Sequence, residues 1–110
     1  MVIGTTLMKM AGSAYYSPTF GRGGLSATFV CEVRQVAGTN PTLDIDVEHK
    51  NADDTSFVSA GTFTQITAAG VHKVDVGALK EQIRFKYTIG GTEAWASVNF
   101  NMLAPSWRPY

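Results

Sequence analysis

Hydrophobic and polar residues alternate along most of the chain. In residues 25–36, apolar side chains take every second position from Leu25 to Val33, and Val30 and Val36 are exceptions to the alternation. The same period of two recurs in 42–50 and in 83–89, and no segment has a convincing helical period. Because successive side chains of a strand point to opposite faces, this pattern predicts half-buried antiparallel β-strands.

Turn-forming residues separate the alternating runs. Together with a possible first strand at 5–10, the spacing gives about seven or eight short strands. This arrangement predicts an all-β fold, an antiparallel β-sandwich that is jelly-roll-like. The runs 83–89 and 94–102 flank Gly90 and Gly91, which predicts a β-hairpin with a primed turn, because glycine tolerates positive φ.

The two ends of the chain differ from its middle. Residues 1–24 contain no acidic residue, and their only basic residues are Lys9 and Arg22. Residues 104–110 contain two prolines, which cannot donate a hydrogen bond within a central ladder. We therefore expect a β-sandwich domain at 25–103, flanked by an extended N-terminal arm at 1–24 and an extended C-terminal tail at 104–110.

Charge and cysteine content narrow the classes of partner. The chain has 110 residues, 16% of them charged, a formal net charge of zero and one cysteine. Nucleic acid is not an expected partner, because phosphate binding needs clustered basic residues. The chain lacks a signal-peptide pattern and an apolar run of membrane-spanning length, so we expect synthesis in the cytoplasm and no membrane partner. Cys31 lies in an alternating run and is interpreted as a core thiol.

The sequence offers little catalytic or metal-binding chemistry. Its histidines are His49, on an apolar strand face, and His72, and nothing places a nucleophile beside either. The acidic residues at 44–54 could bind calcium, but a solvated sheet face explains them better. Gly21–Gly24 could contact a phosphate, but a hinge explains it better. We therefore expect no enzymatic activity, no metal or other cofactor, and no small-molecule substrate.

Aromatic and arginine residues near the ends are the candidate partner-binding residues. Tyr, Trp and Arg are enriched at protein interfaces, and aromatic rings can also stack on sugars. A third possibility is that the tail folds back on its own domain. The candidates for contact with a partner or with a second copy are Met8, Met10, Tyr15, Tyr16, Phe20, Arg22, Trp95, Trp107, Arg108 and Tyr110.

Three segments, 47–55, 61–64 and 83–91, resemble the small head decoration proteins of tailed bacteriophages, also called cement or staple proteins, in particular those of epsilon15-like phages. The resemblance covers most of the chain but rests on overall pattern, without a diagnostic motif. It implies a jelly-roll-like domain on the outside of an icosahedral virus head. Such a protein would bind the major capsid protein, often as a homodimer, and would hold neighbouring subunits together against the pressure of the packaged DNA. The alternative hypothesis is a carbohydrate- or receptor-binding β-sandwich of a tail or fibre.

Overall fold

A computed structural model describes residues 3–8, 14–37, 42–90 and 97–109. These residues form ten strands, and every pair of neighbouring strands in the two sheets is antiparallel. The strands are β1 (Ile3–Met8), β2 (Ala14–Tyr16), β3 (Phe20–Gly21), β4 (Ser26–Ala37), β5 (Thr42–Lys50), β6 (Val58–Thr62), β7 (Gly70–Val76), β8 (Gln82–Gly90), β9 (Ser97–Met102) and β10 (Ser106–Arg108). The predicted all-β class is confirmed.

Two sheets, here named A and B, share these strands equally. In sheet A, β4 pairs with β7 along one edge and with β9 and then β10 along the other, while β1 pairs with β9. In sheet B, β8 pairs with β5 along one edge and with β2 and β3 along the other, while β6 pairs with β5. Each described sheet therefore has four strand positions, one of which holds two short strands.

The strand order is that of a jelly roll. When β2 with β3 and β9 with β10 each count as one interrupted strand, eight strands result. Sheet A then has the order first, eighth, third, sixth, and sheet B has the order second, seventh, fourth, fifth. This is the paired Greek-key arrangement in which most consecutive strands lie in opposite sheets. It confirms the predicted jelly-roll-like sandwich.

The core lies between the sheets and follows the predicted alternation. Strands β5 and β8 alternate between buried and more exposed positions along almost their whole length. Burial of these apolar side chains is the main driving force for bringing the sheets together. The buried apolar residues are Ala27, Phe29, Cys31, Val33, Leu43, Ile45, Val47, Phe63, Ile66, Val76, Leu79, Ile83, Phe85, Tyr87, Ile89, Val98, Phe100 and Met102.

A β-bulge explains one exception to the alternation. The pairing of β4 with β9 shifts between Val33 and Gln35, so one additional residue is inserted into β4. Beyond this shift Val36, instead of an odd-numbered residue, lies opposite the buried Val98 and packs against the core. The additional valine that breaks the period of two is therefore a core residue.

The predicted hairpin around Gly90 and Gly91 is wrong. Strand β8 belongs to sheet B, whereas β9 belongs to sheet A. The turn itself, 91–96, lies outside the described residues. Alternation shows that one face of a strand is buried, but two such strands can face each other across a core as readily as they can pair side by side. The Gly-Gly pair permits a tight turn without requiring one.

The predicted arms also need correction. Within 1–24, β1 extends sheet A while β2 and β3 extend sheet B. Within 104–110, β10 pairs with β4 through three residues. These strands cover edges of β9, β8 and β4 that would otherwise present unpaired backbone groups. Both ends therefore contribute to the sandwich. Strand β1 overlaps the possible first strand predicted at 5–10, whereas β2, β3 and β10 were missed because they are short and lie next to Pro18 or Pro105.

Candidate binding surface

The outer face of sheet B carries opposite charges in register. Strands β5 and β8 place Asp46 opposite Lys86 and Glu48 opposite Arg84. The Arg84 Nε atom lies 2.8 Å from Glu48 Oε1, and these side chains keep 27% and 13% of their area exposed. Directly opposite residues of an antiparallel pair lie on the same face, so these outward positions attract each other across the ladder. The ion pair fixes the position of Arg84.

Arg84 also lies over two aromatic rings. Its guanidinium carbon is 4.2 Å from the centroid of the Tyr16 ring and 4.1 Å from that of Phe57. The ammonium group of Lys50 lies 5.5 Å from the same Phe57 ring. A guanidinium is planar and weakly hydrated, so it stacks well on aromatic faces. We call Tyr16, Glu48, Lys50, Phe57 and Arg84 the aromatic–arginine cluster.

Three neighbouring chain segments bring the cluster together. Tyr16 pairs with Lys86, and its ring reaches the diagonal neighbour Arg84 on the same face of β8. Phe57 comes just before β6, the strand on the other side of β5. The turn between β5 and Phe57 is closed by a hydrogen bond of 2.8 Å from the Asn51 N–H to Asp54 Oδ2. Lys50 Nζ donates to the Asp54 carbonyl over 3.2 Å, which ties this turn to the end of β5.

Polar contacts continue this face beyond the cluster. The Thr62 hydroxyl donates to Asp46 over 3.0 Å, and the Gln65 amide donates to Asp44 over 3.2 Å. These bonds hold the outward carboxylates of β5, which the sequence suggested as a solvated face. Tyr16 is 52% exposed, which makes it one of the most exposed large hydrophobic residues among those described. The surface therefore combines an exposed aromatic ring, a stacked arginine and fixed polar groups.

Most of the other predicted partner-binding residues contact their own domain. Tyr15, Phe20 and Trp107 are partly buried against the core. The Phe20 and Phe85 ring centroids are 5.5 Å apart, and those of Trp107 and Phe29 are 6.1 Å apart in an edge-to-face arrangement. For Trp107 this is the alternative in which the tail folds back.

The two predicted arginines are also held within the chain. Arg108 donates to Ser26 Oγ over 3.2 Å and to Thr28 Oγ1 over 2.8 Å, on the outer face of sheet A. The Arg22 Nη1 atom donates to the Leu79 carbonyl. Met8 is the last residue of β1, opposite Ser97, whereas Met10, Trp95 and Tyr110 lie outside the described residues. Of the predicted residues with a described side chain, Tyr16 alone belongs to the cluster.

Sequence reasoning did not identify the other cluster residues as candidates for partner binding. Arg84 and Glu48 lie in two alternating runs, 83–89 and 42–50, and are 36 positions apart in the sequence, which gives no indication that the two strands pair. Phe57 was not among the predicted partner-binding residues. The available signal was that both strands place charges of opposite sign at alternate positions. That signal becomes useful only once the register between β5 and β8 is known.

The thiol of Cys31 and the imidazole of His49 are both buried in the sandwich. Burial, with a smaller contribution from Glu32, raises the pKa of Cys31 to about 12, so the thiol stays protonated at neutral pH. His49 is buried, and its Nδ1 atom accepts a hydrogen bond of 3.2 Å from the Lys80 N–H. Burial, followed by the nearby Lys80 charge, lowers the pKa of His49, while Asp54 opposes this shift. The interpretation of Cys31 as a core thiol is confirmed, and His49, which was predicted to lie on the apolar face of its strand, is buried there with a hydrogen-bond partner.

Tyr87 carries a polar group in the core. Its side chain is 2% exposed, and its hydroxyl makes no hydrogen bond of normal geometry within the described residues. Burial and the neighbouring Cys31 raise its pKa above the ordinary tyrosine range, although the nearby Ser17 hydroxyl opposes this rise. A buried hydroxyl without a well-formed hydrogen bond costs free energy, so this hydroxyl is expected to lower the stability of the fold.

Three further observations concern the described residues only. They contain no cluster of three His, Cys, Asp or Glu side chains that could hold a metal ion. They enclose no pocket. They contain no helix that is long and apolar enough to cross a membrane.

The protein is therefore a jelly-roll-like β-sandwich that carries the aromatic–arginine cluster on the outer face of sheet B. Comparisons with protein-family models, with curated proteins and with solved structures find no match to the chain.

Proposed function

We propose that the protein is a virion structural protein that binds the outside of an icosahedral head and cements neighbouring major capsid subunits. It would act by binding, without catalysis, and it would reach the capsid exterior after synthesis in the host cytoplasm. The observation that carries the proposal is the aromatic–arginine cluster on sheet B. Tyrosine and arginine, together with tryptophan, are enriched among the side chains that dominate binding energy in protein interfaces.

The location of the cluster supports this proposal. The three segments that resemble head decoration proteins fall on β5, β6 and β8 with the turn that follows β5. These strands are neighbours in sheet B, and they supply Glu48, Lys50 and Arg84 of the cluster. The segments that carry the resemblance and the aromatic–arginine cluster therefore share sheet B. Many copies on a closed shell would multiply a weak contact at each site.

Cosedimentation with purified, expanded virus heads tests the proposal. We expect the wild-type protein to bind and Tyr16→Ala to weaken binding at least tenfold, since an aromatic anchor contributes about 2 kcal/mol or more. Val71→Ala is the matched control, because Val71 is 66% exposed but lies on β7 of sheet A. Absence of wild-type binding would contradict the function. Loss of binding in Val71→Ala alone would indicate that the capsid contacts sheet A and not the cluster on sheet B.

A carbohydrate- or receptor-binding module is the second candidate. It is favoured by the exposed ring of Tyr16, which lies on the same sheet face as the hydroxyl and carboxylate groups of Thr62 and Asp46. Sugar recognition commonly combines a stacking ring with such polar groups. A glycan array distinguishes the two functions. Specific glycan binding that Tyr16→Ala abolishes, without any binding to heads, would favour this second function.

A further inference from the structure

The acidic side chains on the outer face of sheet B are already bound to donors of the same chain. Three carboxylates of β5 point outward, and each accepts a hydrogen bond from a neighbouring side chain. The pairs are Asp44 with Gln65, Asp46 with Thr62 and Glu48 with Arg84. A partner that binds this face therefore meets carboxylates whose hydrogen-bonding needs are already partly met.

The guanidinium of Arg84 keeps donors for a partner. An arginine has N–H groups on three nitrogens, and Arg84 uses Nε for its bond of 2.8 Å to Glu48. The segments on either side of Arg84 in the sheet, 16–20 and 46–50, are fully described. None of the described residues accepts a hydrogen bond from its terminal nitrogens. The terminal N–H groups of Arg84 are therefore open to an acceptor from outside the described residues.

The aromatic rings leave only the edge of this guanidinium open. Tyr16 reaches it from β2, on one side of β8, and Phe57 reaches it from the segment before β6, on the other side. A guanidinium with covered faces binds through its edge, where the N–H groups form a fork that matches both oxygens of a carboxylate. The ring of Tyr16 is half exposed beside this fork, so it offers a packing surface for an apolar side chain.

The charge of this part of the sheet favours a partner with a single negative charge. Lys86 lies opposite both Tyr16 and Asp46, so it extends the basic side of the cluster along β8. Three cationic side chains and two carboxylates lie together here, which leaves one net positive charge. They are Lys50, Arg84 and Lys86 with Asp46 and Glu48. One carboxylate matches this charge, whereas the two fixed carboxylates would repel a doubly charged phosphate more strongly.

We propose that the aromatic–arginine cluster and Lys86 bind an acidic peptide segment of the partner protein. An Asp or Glu carboxylate of that segment lies on the terminal nitrogens of Arg84, and a neighbouring apolar side chain packs on Tyr16. The inference rests on the proposed function, because it describes the chemistry of the partner that contacts the cluster. It adds that the contact is electrostatic as well as apolar, so it should weaken with increasing salt.

Selection from a library of short random peptides tests the inference. The wild-type protein serves as the target, and an excess of soluble Arg84→Gln removes peptides that bind elsewhere. We expect the selected peptides to contain Asp or Glu next to an apolar residue. They are then synthesised with an amidated C-terminus, so that side chains supply their only carboxylates. Replacement of the acidic residue by its amide should weaken binding about tenfold, because a charge-assisted hydrogen bond is lost.

Variants of the protein locate the contact. Arg84→Gln and Lys86→Gln should each weaken binding of the selected peptide, whereas Lys73→Gln is the matched control, because Lys73 is an exposed cation on β7 of sheet A. Lys86→Gln keeps the pair of Glu48 and Arg84 intact, so it tests the surface even if Arg84→Gln fails to fold. In the wild-type protein, addition of the peptide should shift the nuclear magnetic resonance signals of Tyr16 and of the Arg84 Nε–H.

Several outcomes would overturn the inference. These are selected peptides without acidic residues, equal binding of the amide variants, signal shifts confined to sheet A, and a selection that yields no peptide. The two proposals can fail separately. A protein that selects acidic peptides but does not sediment with virus heads contradicts the proposed function alone. A protein that binds heads but selects no acidic peptide contradicts this inference alone.

Discussion

Replacement of Trp107 by alanine tests whether the C-terminal segment is part of the sandwich. A fully buried tryptophan removes about 200 Å² from water, which corresponds to about 5 kcal/mol at 25 cal/mol per Å². Trp107 is partly buried, so about half of this value applies, and its edge-to-face contact with Phe29 adds about 0.5–1 kcal/mol. We therefore expect Trp107→Ala to lower the free energy of unfolding by about 3 kcal/mol and the melting temperature by roughly 13 °C.

Urea unfolding followed by far-ultraviolet circular dichroism measures this change without relying on the fluorescence of the replaced residue. Tyr16→Ala is the control, because it removes an aromatic ring that is half exposed, and it should cost only about 0.5–1 kcal/mol. A loss below about 0.5 kcal/mol in Trp107→Ala would refute the reasoning, because it would show that the segment contributes little to the domain.

A substitution at Gly23 tests a second contact of the Trp107 indole. A Cβ atom on Gly23 would lie 2.7 Å from the Trp107 ring, which is too close without movement of the indole. Gly23→Ala should therefore be destabilising in the wild-type background and much less so when Trp107 is already alanine. Equal costs in the two backgrounds would mean that the indole does not cover Gly23.

Three further predictions follow from the buried polar groups. Tyr87→Phe should raise the free energy of unfolding in urea by about 1 kcal/mol, because it removes a hydroxyl without a good partner; a loss of similar size would reveal a hydrogen bond to that hydroxyl. Because the pKa of His49 is lowered in the folded state, the unfolded state binds more protons below about pH 6.5, so stability should fall as the pH drops from 7 towards 5. His49→Gln should flatten this part of the stability profile, and an unchanged slope would assign it to other groups. Cys31 should react with a thiol reagent at pH 8 only when the protein unfolds, so the extent of labelling in urea should follow the unfolded fraction; rapid labelling of the native protein would contradict its burial.

The alternating strands were the part of the fold that the sequence made predictable. In β5 and β8 the period of two continues for nine residues each, because one face of each strand packs entirely against the core. The same signal could not pair the strands. It is identical for neighbours in one sheet and for strands that face each other across the core, which is why β8 and β9 were wrongly joined in a hairpin.

The short strands and the aromatic–arginine cluster were harder to predict from the sequence, for a related reason. β2, β3 and β10 contain only two or three residues each, too few for a period to be visible, and they are held by pairing with β8 and β4. The contact of Arg84 with Tyr16 and Phe57 depends on three segments that are distant in sequence. Residue type suggested Tyr16 as an anchor, but only the register of sheet B associates it with Arg84.

The central position of β4 has a consequence for the time course of folding. This strand, made of residues 26–37, pairs on one side with residues 70–76 and on the other with residues from 97 to 108. At a synthesis rate of about 5–20 residues per second, several seconds pass between the synthesis of β4 and that of β10, its last partner along the chain. Pairing between strands that are distant in sequence slows folding and leaves aggregation-prone strand edges exposed in the nascent chain. A chain interrupted before residue 97 would keep one side of β4 open, and such fragments should aggregate where the full chain remains dispersed.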